Sequence, residues 1–96
     1  MFEDRKRVSF PLGQTVAAPG ALEALEEADT SPTTLLDRHS RGDEGDLEEG
    51  DRRANDRAVV DGERILCPYT LSTGRRVWVV TEWDRSATTV LLPEEY

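Results

Sequence analysis

Polar side chains that could do chemistry are concentrated in two stretches of this chain, residues 39–55 and residues 82–89. Together the two stretches supply the following candidates: His39, Asp43, Asp46, Asn55, Glu82, Asp84, Arg85, Ser86, Thr88 and Thr89. A histidine or a carboxylate can act as a general base, and a guanidinium can stabilise the charge of a phosphorane. His39 or Glu82 as the base, with Arg85 and Thr88 assisting, would therefore suit the cleavage of RNA.

The same side chains also have a structural interpretation, which the residue types favour. Asp84 or Ser86 can cap the backbone of a turn, and Arg85 can pair with Glu82 or with a carboxylate of a nearby loop. A histidine close to a helix end is more often a partly buried structural residue than a catalyst.

For Arg85 we predict a bridge from the turn that carries it to the acidic loop at residues 42–46. The predicted binding residues are Asp43, Asp46, Asp84, Arg85 and Ser86.

The acidic loop contains side chains of the type that bind metal ions. Asp43, Glu44 and Asp46 could bind a hard cation through oxygen, but their spacing does not match a calcium-binding loop. We therefore predict a solvated acidic turn and no metal site. The sequence has no glycine-rich phosphate loop, no nucleophile elbow and no paired histidine ligands, and no cofactor is predicted.

Charge is the strongest compositional signal. The chain of 96 residues has 20 acidic and 12 basic residues, which gives a net charge of −8. Nonspecific binding to nucleic acid needs the opposite surplus, and no helix rich in Lys or Arg is present to enter a DNA groove. The composition thus predicts a basic protein partner, no direct DNA binding and, because like charges repel, a monomer rather than a dimer.

Apolar residues make up 36% of the chain, and no run approaches the ~18 that a membrane span requires. The first residues lack the apolar core of a secretory signal. We expect a cytoplasmic protein without a membrane segment, in which residues 1–9 form a flexible leader and residues 10–96 form one domain.

Three helices are predicted in the first two thirds of the chain. Residues 10–17 form a short extended segment, and Ala18-Pro-Gly20 then opens a helix over residues 21–28. Ser31 and Pro32 start a second helix that runs to about Ser40. A third helix is expected over about residues 48–60, with Gly62 as its stop.

Three strands are predicted in the last third. Ile65, Cys67, Tyr69 and Leu71 alternate along the first. Pro68 indicates that this strand lies at a sheet edge or carries a bulge. A hairpin at residues 72–74 leads to a second strand around residues 75–82, and a third follows at about residues 88–93. The single cysteine is expected to be a small buried apolar residue.

The predicted fold class is α+β, with the N-terminal helices packed on one face of a three- to four-stranded antiparallel sheet, the fourth strand coming from residues 12–17. The expected core is Leu22, Leu25, Leu35, Leu36, Ile65, Tyr69, Val77, Val79, Val90 and Leu92.

The segment TEWDRSATTVLLPEEY at residues 81–96 closely resembles the C-terminal signature of a family of small bacterial proteins carried on plasmids, integrated elements and chromosomes. The other matching positions are residues 16–22, 38–39, 42–43, 45–46 and 55. Relatives usually have Trp where this chain has Glu44, so a partner that contacts this position would be bound differently here.

Two functions lead, and a third is a regulator or antitoxin-like partner that does not itself bind DNA. The first is a non-enzymatic binding protein of the accessory genome, for example an inhibitor of a host defence or nucleic-acid enzyme. The second is a compact ribonuclease of the barnase or RelE type with His39, Glu82 and Arg85 at its site, which rests on analogy of fold alone.

Overall fold

Three helices and a four-stranded sheet form the described part of the chain, which in this computed structural model comprises residues 10–43, 45 and 49–96. The elements in order are β1 (Gln14–Ala17), α1 (Pro19–Glu27), α2 (Pro32–Ser40), α3 (Glu49–Asp61), β2 (Ile65–Thr70), β3 (Arg76–Thr81), β4 (Ala87–Leu91) and a 3₁₀ turn (Pro93–Glu95). The α+β class is confirmed. The predicted leader, residues 1–9, lies outside the described residues.

The sheet has the order β1-β4-β3-β2, so the extended segment near residue 14 does supply a fourth strand. β2 pairs with β3 and β3 with β4 in antiparallel fashion, whereas β1 runs parallel to β4. The prediction of a purely antiparallel sheet is therefore wrong for β1. A parallel neighbour requires a long crossover, and the three helices between β1 and β2 are part of that connection.

The helix starts follow local backbone chemistry. Ser31 caps α2, because its hydroxyl accepts a hydrogen bond of 3.2 Å from the Thr33 N–H, and Pro32 occupies the first turn. Helix α1 begins at Pro19, two residues before the predicted start, and its N-cap residue Ala18 has no side chain that could cap it. Another part of the chain must therefore satisfy the first N–H groups of α1.

An apolar cluster contains buried residues from the three helices and from the strands. Alternate residues of the strands, among them Tyr69, Val79 and Val90, are buried in the same apolar cluster as Ala21, Ala24, Leu25, Leu35 and Ala58 from the helices. Cys67 is buried in this cluster, as predicted.

Eight of the ten predicted core residues are buried, but Leu22 is 47% exposed and Leu36 is only partly buried. Helix α1 packs through its alanines instead, because Ala21 and Ala24 are fully buried and allow a close approach. Leu22 consequently lies on the outer side of α1.

The second face of the sheet carries its own aromatic cover. The Trp78 and Tyr96 rings pack edge to face with centroids 5.5 Å apart, and Arg64 extends over the Tyr96 ring and toward Glu82. No helix in the described part of the chain is both long and apolar enough to cross a bilayer.

Candidate functional site

His39 is buried at the centre of a chain of side-chain hydrogen bonds. Its Nε2 lies 2.8 Å from the Thr81 hydroxyl, which lies 2.7 Å from the Thr88 hydroxyl. The Thr88 hydroxyl lies 2.7 Å from the carbonyl oxygen of Leu12. This hydrogen-bonded chain, His39–Thr81–Thr88–Leu12, links α2, β3, β4 and the segment that leads into β1.

The Leu12 carbonyl at the end of this hydrogen-bonded chain determines which group is the donor in each of its hydrogen bonds. A carbonyl oxygen can only accept, so Thr88 donates to Leu12 and must accept from Thr81. The single Thr81 proton is then used, and His39 must donate through Nε2–H. Neutral His39 is therefore the Nε2–H tautomer, and Nδ1 carries the lone pair.

Neither end of the imidazole is available to a substrate. His39 is 1% exposed, and its Nδ1 is buried without a hydrogen-bond partner among the described residues. The imidazole and the Phe10 ring pack perpendicular to each other, with centroids 5.0 Å apart. Burial, and secondarily the positive charge of Arg85, lower the pKa of His39 to about 4. At neutral pH His39 is thus an uncharged hydrogen-bond donor inside the fold.

Arg85 holds the end of α3 against the β3–β4 turn. One terminal nitrogen lies 2.6 Å from the Glu63 carbonyl oxygen, and the other lies 3.0 Å from that of Ala58. The same guanidinium also donates to the carbonyls of Glu82 and Trp83 in its own turn. Carbonyls at the end of a helix lack intrahelical donors, and a cation there is favoured by the helix dipole as well.

The predicted bridge from Arg85 to the acidic loop is wrong for Asp43. Asp43 instead pairs with Arg38, whose Nε lies 2.7 Å from Oδ2, and accepts a 3.1 Å hydrogen bond from the Gly45 N–H. The Tyr69 hydroxyl donates to the Asp43 carbonyl, and Arg38 stacks over the Tyr69 ring. The predicted binding residue Asp46, together with Glu44, lies outside the described residues.

Local contacts account for the two acidic residues of the β3–β4 turn. Asp84 accepts a 3.0 Å hydrogen bond from the Ser86 N–H. The pKa of the Asp84 carboxyl group is lowered by hydrogen bonding from the Ser86 side chain first and from the Ser86 backbone second. Glu82 lies 3.6 Å from Arg64 in an ion pair, and Trp83 points into solvent with 65% exposure. Asp84 therefore caps the turn as the structural interpretation predicts. The predicted pairing of Arg85 with Glu82 or with a loop carboxylate is wrong, because Arg85 donates to backbone carbonyls instead.

Glu95, in the segment after β4, caps helix α1. Oε2 of Glu95 accepts a 2.8 Å hydrogen bond from the Gly20 N–H, and Oε1 accepts one of 2.9 Å from the Leu92 N–H. These bonds lower the pKa of Glu95, that from Leu92 having the largest effect. A Cβ atom on residue 20 would lie 2.7 Å from Oε2, so a larger residue here would shift the Glu95 carboxylate. The segments Ala18–Leu22 and Leu92–Glu95 are therefore joined by a cap.

Asn55 joins helix α3 to the β2 edge of the sheet, where its side-chain amide donates a 3.0 Å hydrogen bond to the Leu66 carbonyl. The structure thus brings His39 and Thr88 together in the interior, places Arg85 against their outer side, and leaves Glu82, Asp84 and Asp43 in separate local contacts. Among the described residues, no group of three His, Cys, Asp or Glu side chains is arranged to hold a metal ion.

A surface site that the sequence reasoning missed lies on α1. Residues of α1 and of the start of α2 line a groove: Pro19, Leu22, Glu23, Leu25, Glu26, Thr30 and Pro32. Neither Glu23 nor Glu26 has an ion-pair partner in the described part of the chain. The sequence signal was present, since residues 8–37 include five acids and no Lys or Arg.

Comparison with known proteins gives no relative, because no protein-family model, no curated protein and no solved structure matches this chain.

Proposed function

We propose that this protein is a non-enzymatic binding module whose acidic surface engages a basic protein partner. The observation that carries the proposal is the α1 groove, in which exposed Leu22 lies beside the carboxylates of Glu23 and Glu26. An apolar floor with uncompensated negative charge suits a segment that presents an apolar side chain flanked by Lys or Arg.

Charge favours a particular class of partner. Proteins that bind nucleic acid have basic surfaces. An acidic protein with a net charge of −8 can compete with nucleic acid for such a surface. The proposal therefore includes inhibition of a host defence or nucleic-acid enzyme by a monomeric cytoplasmic protein of the accessory genome. Its place in the accessory genome rests on the resemblance of the C-terminal signature.

The alternative, RNA cleavage by His39, Glu82 and Arg85, gains no support from the geometry. A general base must come within hydrogen-bonding distance of the proton that it removes, and His39 is enclosed by Phe10 and Thr81. The guanidinium of Arg85 is occupied by backbone carbonyls. Residual RNA cleavage by the purified protein that is lost in His39→Gln would revive this alternative.

Neutralising the groove should release the partner. Immobilised protein is exposed to a bacterial lysate at low salt, and captured proteins are identified by mass spectrometry. In the double variant Glu23→Gln/Glu26→Gln, recovery of the partner should fall about fivefold, since each lost rim charge contributes up to about 0.5 kcal/mol. High salt should have the same effect on the wild type.

The matched control is Asp56→Asn/Asp61→Asn, which removes two exposed carboxylates from α3 and changes the net charge by the same amount. Recovery should be unchanged in this control. Equal losses in both double variants would mean that only net charge matters and would overturn the groove as the site.

A further inference from the structure

Among the described residues, no strand pairs with the outer edge of β1. The Gln14 N–H donates to the Ser86 carbonyl and the Ala18 N–H donates to the Val90 carbonyl, which fixes the phase of the ladder with β4. Residues 14, 16 and 18 therefore direct their backbone groups toward β4. Because successive residues of a strand alternate, Thr15 and Ala17 direct their N–H and C=O groups away from the sheet.

The opposite edge of the sheet, formed by β2, is protected against pairing with another strand. On β2, Pro68 has no N–H to offer, and the Leu66 carbonyl is taken by Asn55. Gly45 lies so close to the Pro68 carbonyl that a Cβ there would be 2.1 Å from the oxygen. Edge strands are normally protected in such ways, because an unprotected edge pairs with other chains.

β1 has none of these protections in the described part of the chain. Residues 12–18 contain no charged residue and no proline, and residues 13–16 are exposed. Val16, on the face away from the main core, is 50% exposed. An added strand could complete the hydrogen bonds of Thr15 and Ala17 and cover Val16.

Ionised carboxylates flank both ends of β1. Asp84 is held beside Ser86, which bonds Gln14 at one end, and Glu95 is held on Gly20, just beyond the other end. Hydrogen bonds lower the pKa of both carboxyl groups, so both are charged at neutral pH. An antiparallel pair of two β1 strands would bring Asp84 of one copy toward Glu95 of the other, and this repulsion disfavours a second copy as the occupant.

We infer that the outer edge of β1 is a strand-addition site for an extended segment of a protein partner, with Lys or Arg near the ends of the segment and an apolar side chain beside Val16. Main-chain hydrogen bonds to Thr15 and Ala17 would supply affinity, and the flanking carboxylates would select basic segments. The inference rests on the proposed binding function and names a mode of engagement for it.

The probe is a labelled peptide of alternating Lys and Val, measured by fluorescence anisotropy, with amide exchange followed by NMR. Binding should slow exchange at Thr15 and Ala17. Two further peptides are N-methylated at alternate residues, one at the odd positions and one at the even positions. One of them should bind at least tenfold more weakly and the other should bind as the unmodified peptide does, because only one of the two sets of N–H groups faces β1. A Glu-Val peptide should not bind.

A protein variant provides a second readout. Thr15→Pro removes an N–H that has no partner in the sheet, so the fold should persist while peptide binding falls at least tenfold; Thr15→Ala, which keeps the N–H, should bind as the wild type does. If both N-methylated peptides bind equally well, or if Thr15→Pro folds and still binds the peptide, strand addition is wrong.

The outcomes separate this inference from the proposed function. If the lysate partner is lost in Glu23→Gln/Glu26→Gln but kept in folded Thr15→Pro, the binding function stands and the strand site fails. If no specific partner is captured but the peptide still binds at Thr15 and Ala17, the proposed function is contradicted and the strand-addition site is supported. Dimerisation at high concentration that Thr15→Pro abolishes would make a second copy the occupant and overturn the basic segment.

Discussion

Lowering the pH from about 6.5 to about 4 should remove about 3 kcal/mol of unfolding free energy through His39 alone. The folded protein holds this histidine neutral, with its pKa lowered from 6.5 to about 4. Between these values the unfolded chain binds more protons than the folded one. The contribution of His39 is therefore complete above pH 6.5 and is lost as the pH falls through about 4.

Urea unfolding of the wild type and of His39→Gln across this range measures the effect. Glutamine can still donate to Thr81 but does not titrate, so the variant should be less stable at pH 7 and its stability should change less with pH. Carboxyl groups titrate in both proteins and cancel in the difference. Parallel profiles would show that His39 is not held neutral by the fold.

Replacing Arg85 by alanine should cost about 2–4 kcal/mol of unfolding free energy. Hydrogen bonds to charged groups contribute about 1.5–3 kcal/mol, and the variant leaves the carbonyls of Ala58 and Glu63 without this donor. Thermal and urea unfolding at pH 7 give the value.

Two further variants separate the causes of this loss. Arg76→Ala removes an exposed arginine from β3 and should change the stability by less than about 0.5 kcal/mol. Arg85 has a φ of +60°, so Arg85→Gly should be less damaging than Arg85→Ala by up to about 1 kcal/mol. If Arg85→Ala is as stable as Arg76→Ala, the contact between α3 and the turn does not hold the fold.

Local patterns were sufficient to predict most of the elements. Alternation identified β2 and β3, and Ser31 and Pro32 marked the start of α2. Pro68 indicated an edge or a bulge for β2, which does lie at an edge. These signals work because each depends on residues close together in sequence. The direction of β1 had no such signal, because a parallel pairing with β4 joins segments more than 70 residues apart.

The candidate site was predicted less well for a related reason. Residue types identified His39, Arg85 and Thr88 as unusual, but the same types serve catalysis and buried hydrogen bonding equally. Only the tertiary arrangement reveals that Thr81 separates His39 from Thr88 and that Arg85 meets carbonyls rather than the carboxylate of Asp43. Leu22 was assigned to the core because its spacing from Leu25 fits an apolar stripe, whereas the small alanines decide which side of α1 is buried.

The polar residues around His39 hold the fold together, and the proposed binding is assigned to the surfaces of α1 and β1. A long-range ¹H–¹⁵N correlation spectrum of the imidazole, recorded from pH 7 down to pH 4, tests that claim most directly. We predict a neutral ring with the proton on Nε2 that begins to titrate only near pH 4. A proton on Nδ1, or a midpoint near the ordinary value of 6.5, would contradict the buried hydrogen-bonded chain and return His39 to the candidates for catalysis.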